Sequence, residues 1–210
     1  MSLSKNFLEI VSHPTSLFAL LALILFILFI AKVKNVKFNT HLITQIGIAL
    51  ALATILKIFR IYHLPQGGSV TLGSMIPIIL MALFYGPEVG FITGFLYGII
   101  TLILDPYILQ PVQVLFDYPL PFMALGLAGY FKNNKLLATF VAVFGRFICH
   151  FISGVVFFGS FAPKGMSPAV YSLMSNGIFL SMEGAICLVI IAALPIKQLS
   201  AAATRKIPQN

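Results

Sequence analysis

Seven stretches of the chain are apolar over lengths that call for lipid around them: residues 15–31, 42–59, 74–84, 89–104, 112–131, 136–161 and 170–194. Inside a bilayer no water is available to backbone N–H and C=O groups, so such segments must satisfy their hydrogen bonds internally, as helices. About 20 residues at 1.5 Å each cross the hydrocarbon core. Six or seven such helices with short loops consume the 210 residues and leave no room for a separate nucleotide-binding or catalytic domain. A hydrophobic fraction of 60%, a charged fraction of 9% and a mean hydropathy of +1.04 agree with that class. The expected fold is an all-α integral membrane bundle.

The net charge of +8 would suit nucleic acid, but the basic residues lie mostly in short loops and near the C-terminus, where orienting charges sit. We read no nucleic-acid partner. The run 15–31 precedes the basic cluster Lys32, Lys34, Lys37 and has no small-x-small cleavage signal, so it reads as a retained helix. With the N-terminus outside and the C-terminus cytoplasmic, that cluster, Lys132 and Lys135, and Lys197, Arg205 and Lys206 all fall inside. Lys57 and Arg60, at an outer helix end, fit this rule less well. The loops 62–73, 105–111 and 162–168 then share the outer face, and a site open to the outside would lie beneath them.

Ionisable groups at membrane depth are costly and mark function or a structural ion pair. Asp117, Arg146, His150, Asn176 and Glu183 are the polar candidates. Asp117 lies in FDYPLP (116–121), where two prolines remove backbone donors and interrupt the helix, a break tolerated where it lines a cavity. The competing reading pairs Asp117 with Arg146 structurally. A carboxylate with aromatic neighbours favours a cationic ligand. His150, Ser153, Gly154, Phe157 and Phe158 share one helical face by their spacing, with Gly154 expected to open space for a planar ligand beside the rings. Tyr171 and Asn176 follow on the last helix. Asn176 offers a donor and an acceptor to a heteroaromatic amine, or bonds a neighbouring helix.

Gly86, Gly90, Gly94 and Gly98 recur every four residues and predict close helix packing. Ala49 and Ala53 form a smaller pair that suits either internal packing or a partner subunit. The segment from Gly68 to Gly73 lacks the Lys and Ser/Thr of a phosphate-binding loop, and no zinc or hydrolase motif occurs. We expect no metal, no cofactor and no enzymatic activity. Cys149 and Cys187 read as packing residues.

Three runs carry a resemblance: LPQGGSVTLGSMIPI (64–78), PYILQPVQVLFDYPLPFMALGLAG (106–129) and RFICHFISGVVFFGSFAPKGMSPAVYSLMSNG (146–177). They resemble the thiamine-specific S-component (ThiT type) of energy-coupling-factor (ECF) vitamin transporters, over residues 40–194. The resemblance implies a six-helix S-component bundle in the bacterial cytoplasmic membrane, to which this chain adds one N-terminal transmembrane helix. It divides the chain into an extension (1–39), a thiamine-binding membrane domain (40–196) and a basic cytoplasmic tail (197–210). It implies thiamine as ligand, with Tyr107, Asp117, Tyr118, His150, Gly154, Phe158, Tyr171 and Asn176 around it. Gln66, Gly67, Gly68 and Ser69 would form a lid. Ala49 and Ala53 would dock on a transmembrane coupling subunit that works with two ATPase subunits. Where the family usually has Glu and Trp, this chain has Asp117 and Phe158. A stand-alone proton-coupled secondary transporter, with Asp117, Glu183 and His150 relaying charge, is the rival reading, and a membrane-embedded enzyme a weaker third.

Overall fold

The computed structural model describes residues 14–34, 36–63 and 69–205. Helix α1 spans Pro14–Val33 and α2 spans Thr40–Ile58, the latter capped by Asn39, whose side chain accepts from Leu42 N at 2.8 Å. Strands β1 (Arg60–His63) and β2 (Ser69–Thr71) pair antiparallel, Tyr62 opposite Val70, with an irregularity between Arg60 and Tyr62. This ribbon is the departure from an all-α chain. Helices α3 (Ile76–Tyr85) and α4 (Pro87–Leu104) meet at Gly86, whose φ of 108° is open to glycine and strained for other residues.

The run 112–131 folds as three short pieces: α5 (Pro111–Asp117), α6 (Pro119–Ala124) and a 3₁₀ segment (Leu125–Phe131). The two long helices α7 (Lys135–Phe157) and α8 (Pro168–Ala193) follow, separated by a short 3₁₀ turn at Gly159–Phe161. The tail is helical at first, α9 covering Ile196–Ala203. Tyr85 OH donates to Ala203 O at 2.6 Å and fastens α9 to the end of α3.

Among the described residues, six spans are long and apolar enough to cross a membrane, and α3 is shorter, at 10 residues. Ten residues reach about 15 Å, half of the hydrocarbon core. Val70, Thr71, Ser74 and Met75 precede α3 and are buried, so this non-helical backbone is sheltered by protein. The broken span 111–131 is 61% buried, against 11% for α1, and so forms the centre of the bundle while α1 lies at its edge. Phe18 packs edge-on against Phe116, and Phe26 and Phe29 against Phe95, joining α1 to α5 and α4.

The glycine stripe explains how the broken span fits. A Cβ on Gly94 would stand 2.1 Å from Phe122 O, and one on Gly98 2.7 Å from Pro119 Cα and Tyr118 O. Only a missing side chain lets α4 lie against that backbone. The last turn of α8 is capped from across the bundle, as Lys135 Nζ donates to Ala192 O at 2.7 Å and Leu194 O at 2.9 Å.

One expectation needs correction here. Ala49 and Ala53 do not form a free docking face: they are 7% and 0% exposed, and Tyr97 OH donates to Ala53 O at 3.0 Å. Their small side chains admit α3 and α4. The outward side of α2 carries Gly47 and Ala51 instead.

Candidate functional site

The site starts from the break in the fifth span. Pro119 cannot donate a backbone hydrogen bond and disfavours helical backbone at the residue before it; Tyr118 sits at φ −120°, ψ −79°. Asp117 is therefore the last residue of α5, its carboxylate turned to a cavity rather than to lipid. The Gln113 amide, one turn earlier, donates to Asp117 Oδ2, and His150 Nδ1 lies 3.5 Å from Oδ1. Gln113 is fully buried; its Nε2 also donates to Tyr107 O at 3.2 Å, and its Oε1 accepts from Leu109 N at 2.9 Å. Tyr118 OH accepts from Tyr107 N at 2.7 Å and donates to Asp105 O at 2.9 Å. The loop between α4 and α5 is thus pinned to α5 by side chains from its own flank.

Helix α7 supplies a second wall. His150, Gly154 and Phe158 line the cavity, while Ser153 and Phe157 do not, so the expected five-residue face divides between site and packing. Phe158 and Tyr107 stack, with ring centroids 5.8 Å apart and planes at 27°. The space at Gly154 is occupied by α8: a Cβ there would stand 2.2 Å from Ser172 Oγ and 2.8 Å from Asn176 Nδ2. Gly154 thus brings two helices together, where a slot for a ligand was expected. Asn176 bonds the neighbouring helix, Nδ2 donating to His150 O at 3.1 Å and to Ser172 Oγ at 3.1 Å. Both amide hydrogens are then engaged, and Oδ1 is left as an acceptor.

The alternative ion pair between Asp117 and Arg146 is not formed. Arg146 Nη1 lies 3.3 Å from Glu183 Oε2, and its guanidinium sits 4.5 Å over the Phe122 ring. Glu183, 1% exposed, also accepts from Thr71 Oγ1 at 2.6 Å, which ties β2 to α7 and α8. A buried carboxylate needs such partners, because losing one leaves an uncompensated charge.

All eight expected ligand residues, Tyr107, Asp117, Tyr118, His150, Gly154, Phe158, Tyr171 and Asn176, line one cavity of about 100 Å³. That is tight beside the roughly 300–1,000 Å³ of drug-sized ligand sites, so a two-ring ligand requires the lining side chains to move apart. Of the expected lid, Ser69 lines the cavity and is buried. Gln66, Gly67 and Gly68 lie outside the described residues. Ser69 at the start of β2 and the loop after Asp105 reach the cavity, whereas 162–168 contributes nothing to its lining. Lys57, Thr101, Asp105 and Phe122 line it without having been expected. The signal for Lys57 was its misfit with the orienting charges; for Gln113, which supports the site from behind, it was an amide four residues before the acid. Among the described residues no cluster of His, Cys, Asp or Glu could hold a metal ion.

The family model described as thiamine transporter protein (Thia_YuaJ) matches residues 43–203. The thiamine transporter ThiT of Bacillus subtilis (strain 168) is 37% identical over 169 residues, 71% of this chain and 88% of the relative. That of Lacticaseibacillus paracasei is 32% identical over 140 residues, 57% of this chain and 70% of the relative. In fold, the chain is similar to the solved structure of ThiT from Listeria monocytogenes, with a TM-score of 0.67 and 22% identity over 75% of this chain and 93% of that one. It is also similar to the S component of a bacterial ECF transporter, with a TM-score of 0.53 and 17% identity over 78% and 98%. The sequence match spans most of the chain and most of its curated relatives, and the chain belongs to the Thia_YuaJ family of thiamine transporter proteins.

Proposed function

We propose that this chain captures thiamine from outside the bacterial cytoplasmic membrane as the substrate-specific S-component of an ECF-type transporter. The observation that carries the reading is the convergence of Asp117, His150, Phe158, Tyr171 and Asn176, from three separate elements, on one cavity. Thiamine has a permanently cationic thiazolium, an aminopyrimidine and a hydroxyethyl arm. Asp117 offsets the cation, and Phe158 and His150 flank the rings; an aromatic face contributes about 0.5–2 kcal/mol to a cation. Asn176 Oδ1 accepts from the exocyclic amine, Tyr171 reads the same edge, and Tyr107 or Tyr118 meets the arm. The relatives' names and the S-component fold support the ligand and the class.

An S-component has no ATPase of its own, so the reading includes a transmembrane coupling subunit and two ATPase subunits. The outward stripe of Gly47 and Ala51 on α2 supports close approach of a partner helix. The N-terminus is placed outside and the C-terminus in the cytoplasm, which puts the ribbon and the cavity mouth on the outer face.

Calorimetric titration of the detergent-purified chain with thiamine and with riboflavin tests the ligand. Thiamine is expected to saturate one site and riboflavin to give no signal. Asp117→Asn keeps a hydrogen-bonding partner for Gln113 yet removes the charge, and is expected to weaken thiamine about tenfold to a hundredfold. Wild-type affinity in Asp117→Asn would sink the assignment. Uptake by the chain alone in vesicles, without ATPase partners, would favour the proton-coupled rival.

A further inference from the structure

The proposed ligand roles leave the buried ion pair of Arg146 and Glu183 unused. The two side chains are 7% and 1% exposed, with Nη1 3.3 Å from Oε2. Such a pair adds little stability by itself, because desolvating two ions offsets most of their attraction, so its presence calls for another reason. Arg146 lines the cavity and Glu183 does not. The carboxylate is also held from its other side, where Oε1 accepts from Thr71 Oγ1 at 2.6 Å and from Ser74 Oγ at 3.4 Å. Glu183 is thereby fixed to the backbone that leads into α3, and it fixes Arg146 in turn.

Where the guanidinium rests decides two things. Arg146 Nε donates to His150 Nε2 at 3.5 Å, and His150 Nδ1 lies 3.5 Å from Asp117 Oδ1. An arginine has donors only, so Nε2 must accept; the single proton of a neutral imidazole then sits on Nδ1 and points to the carboxylate. The second matter is charge. Arg146 stands one imidazole ring away from Asp117, on a long side chain with several rotatable bonds. The other acid of the cavity lining, Asp105, already faces Arg60 at 2.9 Å and Lys57 at 4.0 Å. Without Glu183, the arginine is an uncompensated charge in a site of low dielectric, and Asp117 is the carboxylate to which it can turn. That pairing neutralises the anion that meets the thiazolium.

We infer that Glu183 is a positioning residue of the site: it holds Arg146 against His150 and off Asp117, which leaves the charge of Asp117 to the ligand and the proton of His150 on Nδ1. The inference rests on the thiamine reading and deepens it, giving a role in binding to a residue outside the cavity lining. Loss of Glu183 then harms binding through Arg146, so removing Arg146 as well restores it. A carboxylate that only supported packing has no such dependence.

The first test is calorimetric titration of the full chain in detergent with thiamine, for wild type, Glu183→Gln and the double variant Arg146→Met/Glu183→Gln, each checked for folding by its thermal midpoint. Gln keeps an acceptor for Thr71 and removes the charge. Glu183→Gln is expected to weaken thiamine about tenfold or more, and the double variant to return to within about threefold of wild type. Wild-type affinity in folded Glu183→Gln, or a double variant as weak as the single one, overturns the inference and leaves the vitamin site standing. The second test needs no change in the ion pair: nitrogen NMR of the wild-type chain carrying isotope-labelled histidine, without thiamine, with the His150 signals identified by their loss in His150→Asn. A proton on Nδ1 is expected. A proton on Nε2 alone, or on both nitrogens, overturns the inference even where Glu183→Gln fails to fold. Wild type that binds no thiamine overturns the thiamine reading, and the inference with it.

Discussion

Gln113 illustrates how much of this site is decided behind its lining. Its amide has two hydrogens and one strong acceptor, and all three are engaged: by Asp117, by Tyr107 O and by Leu109 N. The carboxylate and the loop that carries Tyr107 are therefore set by one buried side chain that is itself outside the cavity lining. Gln113→Leu removes both tethers in a side chain of similar size, and is expected to weaken thiamine about tenfold, measured by titration, while the variant still purifies folded. Retention of wild-type affinity would show that α5 alone orients Asp117. Asp117 stood out in the sequence because an acid just before two prolines in an apolar run marks either a function or a structural ion pair, and Arg146 lies against Glu183 instead. Gln113 was present in the same motif, but an amide does not announce whether it faces lipid, a backbone or a ligand. Ala49 and Ala53 show the same limit: a four-residue spacing establishes that two small residues share a face, and not which way the face turns. Burial against α3 and α4 decided it.

Among the elements, helices were readable to within a few residues because hydropathy and length jointly demand them. The ribbon was not: strands of four and three residues are too short to display alternation, and their partner is fixed only when the chain returns. The broken fifth span was announced by its prolines, yet its tight seating depends on glycines in α4, a separate element. Gly94→Val would drive side-chain atoms into the Phe122 and Met123 backbone, which cannot retreat as a flexible side chain can. A loss of about 1–3 kcal/mol or more is expected, read as a lowered thermal midpoint in detergent. Helix α1 provides the contrast. It touches α4 and α5 through phenylalanines and contributes no residue to the cavity lining. Removing residues 1–34 is expected to leave thiamine affinity within about threefold, a change of roughly 0.7 kcal/mol. A larger loss in a folded variant would show that Phe18 steadies Phe116 and, through it, the neighbouring Asp117.

At the scale of the molecule, the proposed thiamine site and the proposed partner contact lie on different surfaces. The cavity opens between the ribbon, the loop after α4 and the end of α7, whereas Gly47 and Ala51 lie on the lipid side of α2 with Ile48 and Leu52 exposed beside them. Among the described residues, nothing beyond Gly47's own helix turn and chain neighbours stands within 4 Å of a Cβ built on it. Gly47→Leu is therefore expected to preserve thiamine binding and to reduce co-purification with the coupling subunit by roughly tenfold, the loss of about 1.4 kcal/mol of helix packing. Unchanged co-purification would exclude this face. The depth of the cavity has its own electrical consequence. His150 stands 7 residues before the end of α7 at Phe157, about 11 Å along the helix axis, so in the proposed orientation and site a cation held between it and Asp117 has descended roughly a third of a 30 Å core. A full crossing of a 100 mV potential is worth about 2.3 kcal/mol per charge. Capture thus draws on only about 0.8 kcal/mol of the field by that same scale, and the greater part of the voltage is left to act on the vitamin's onward passage.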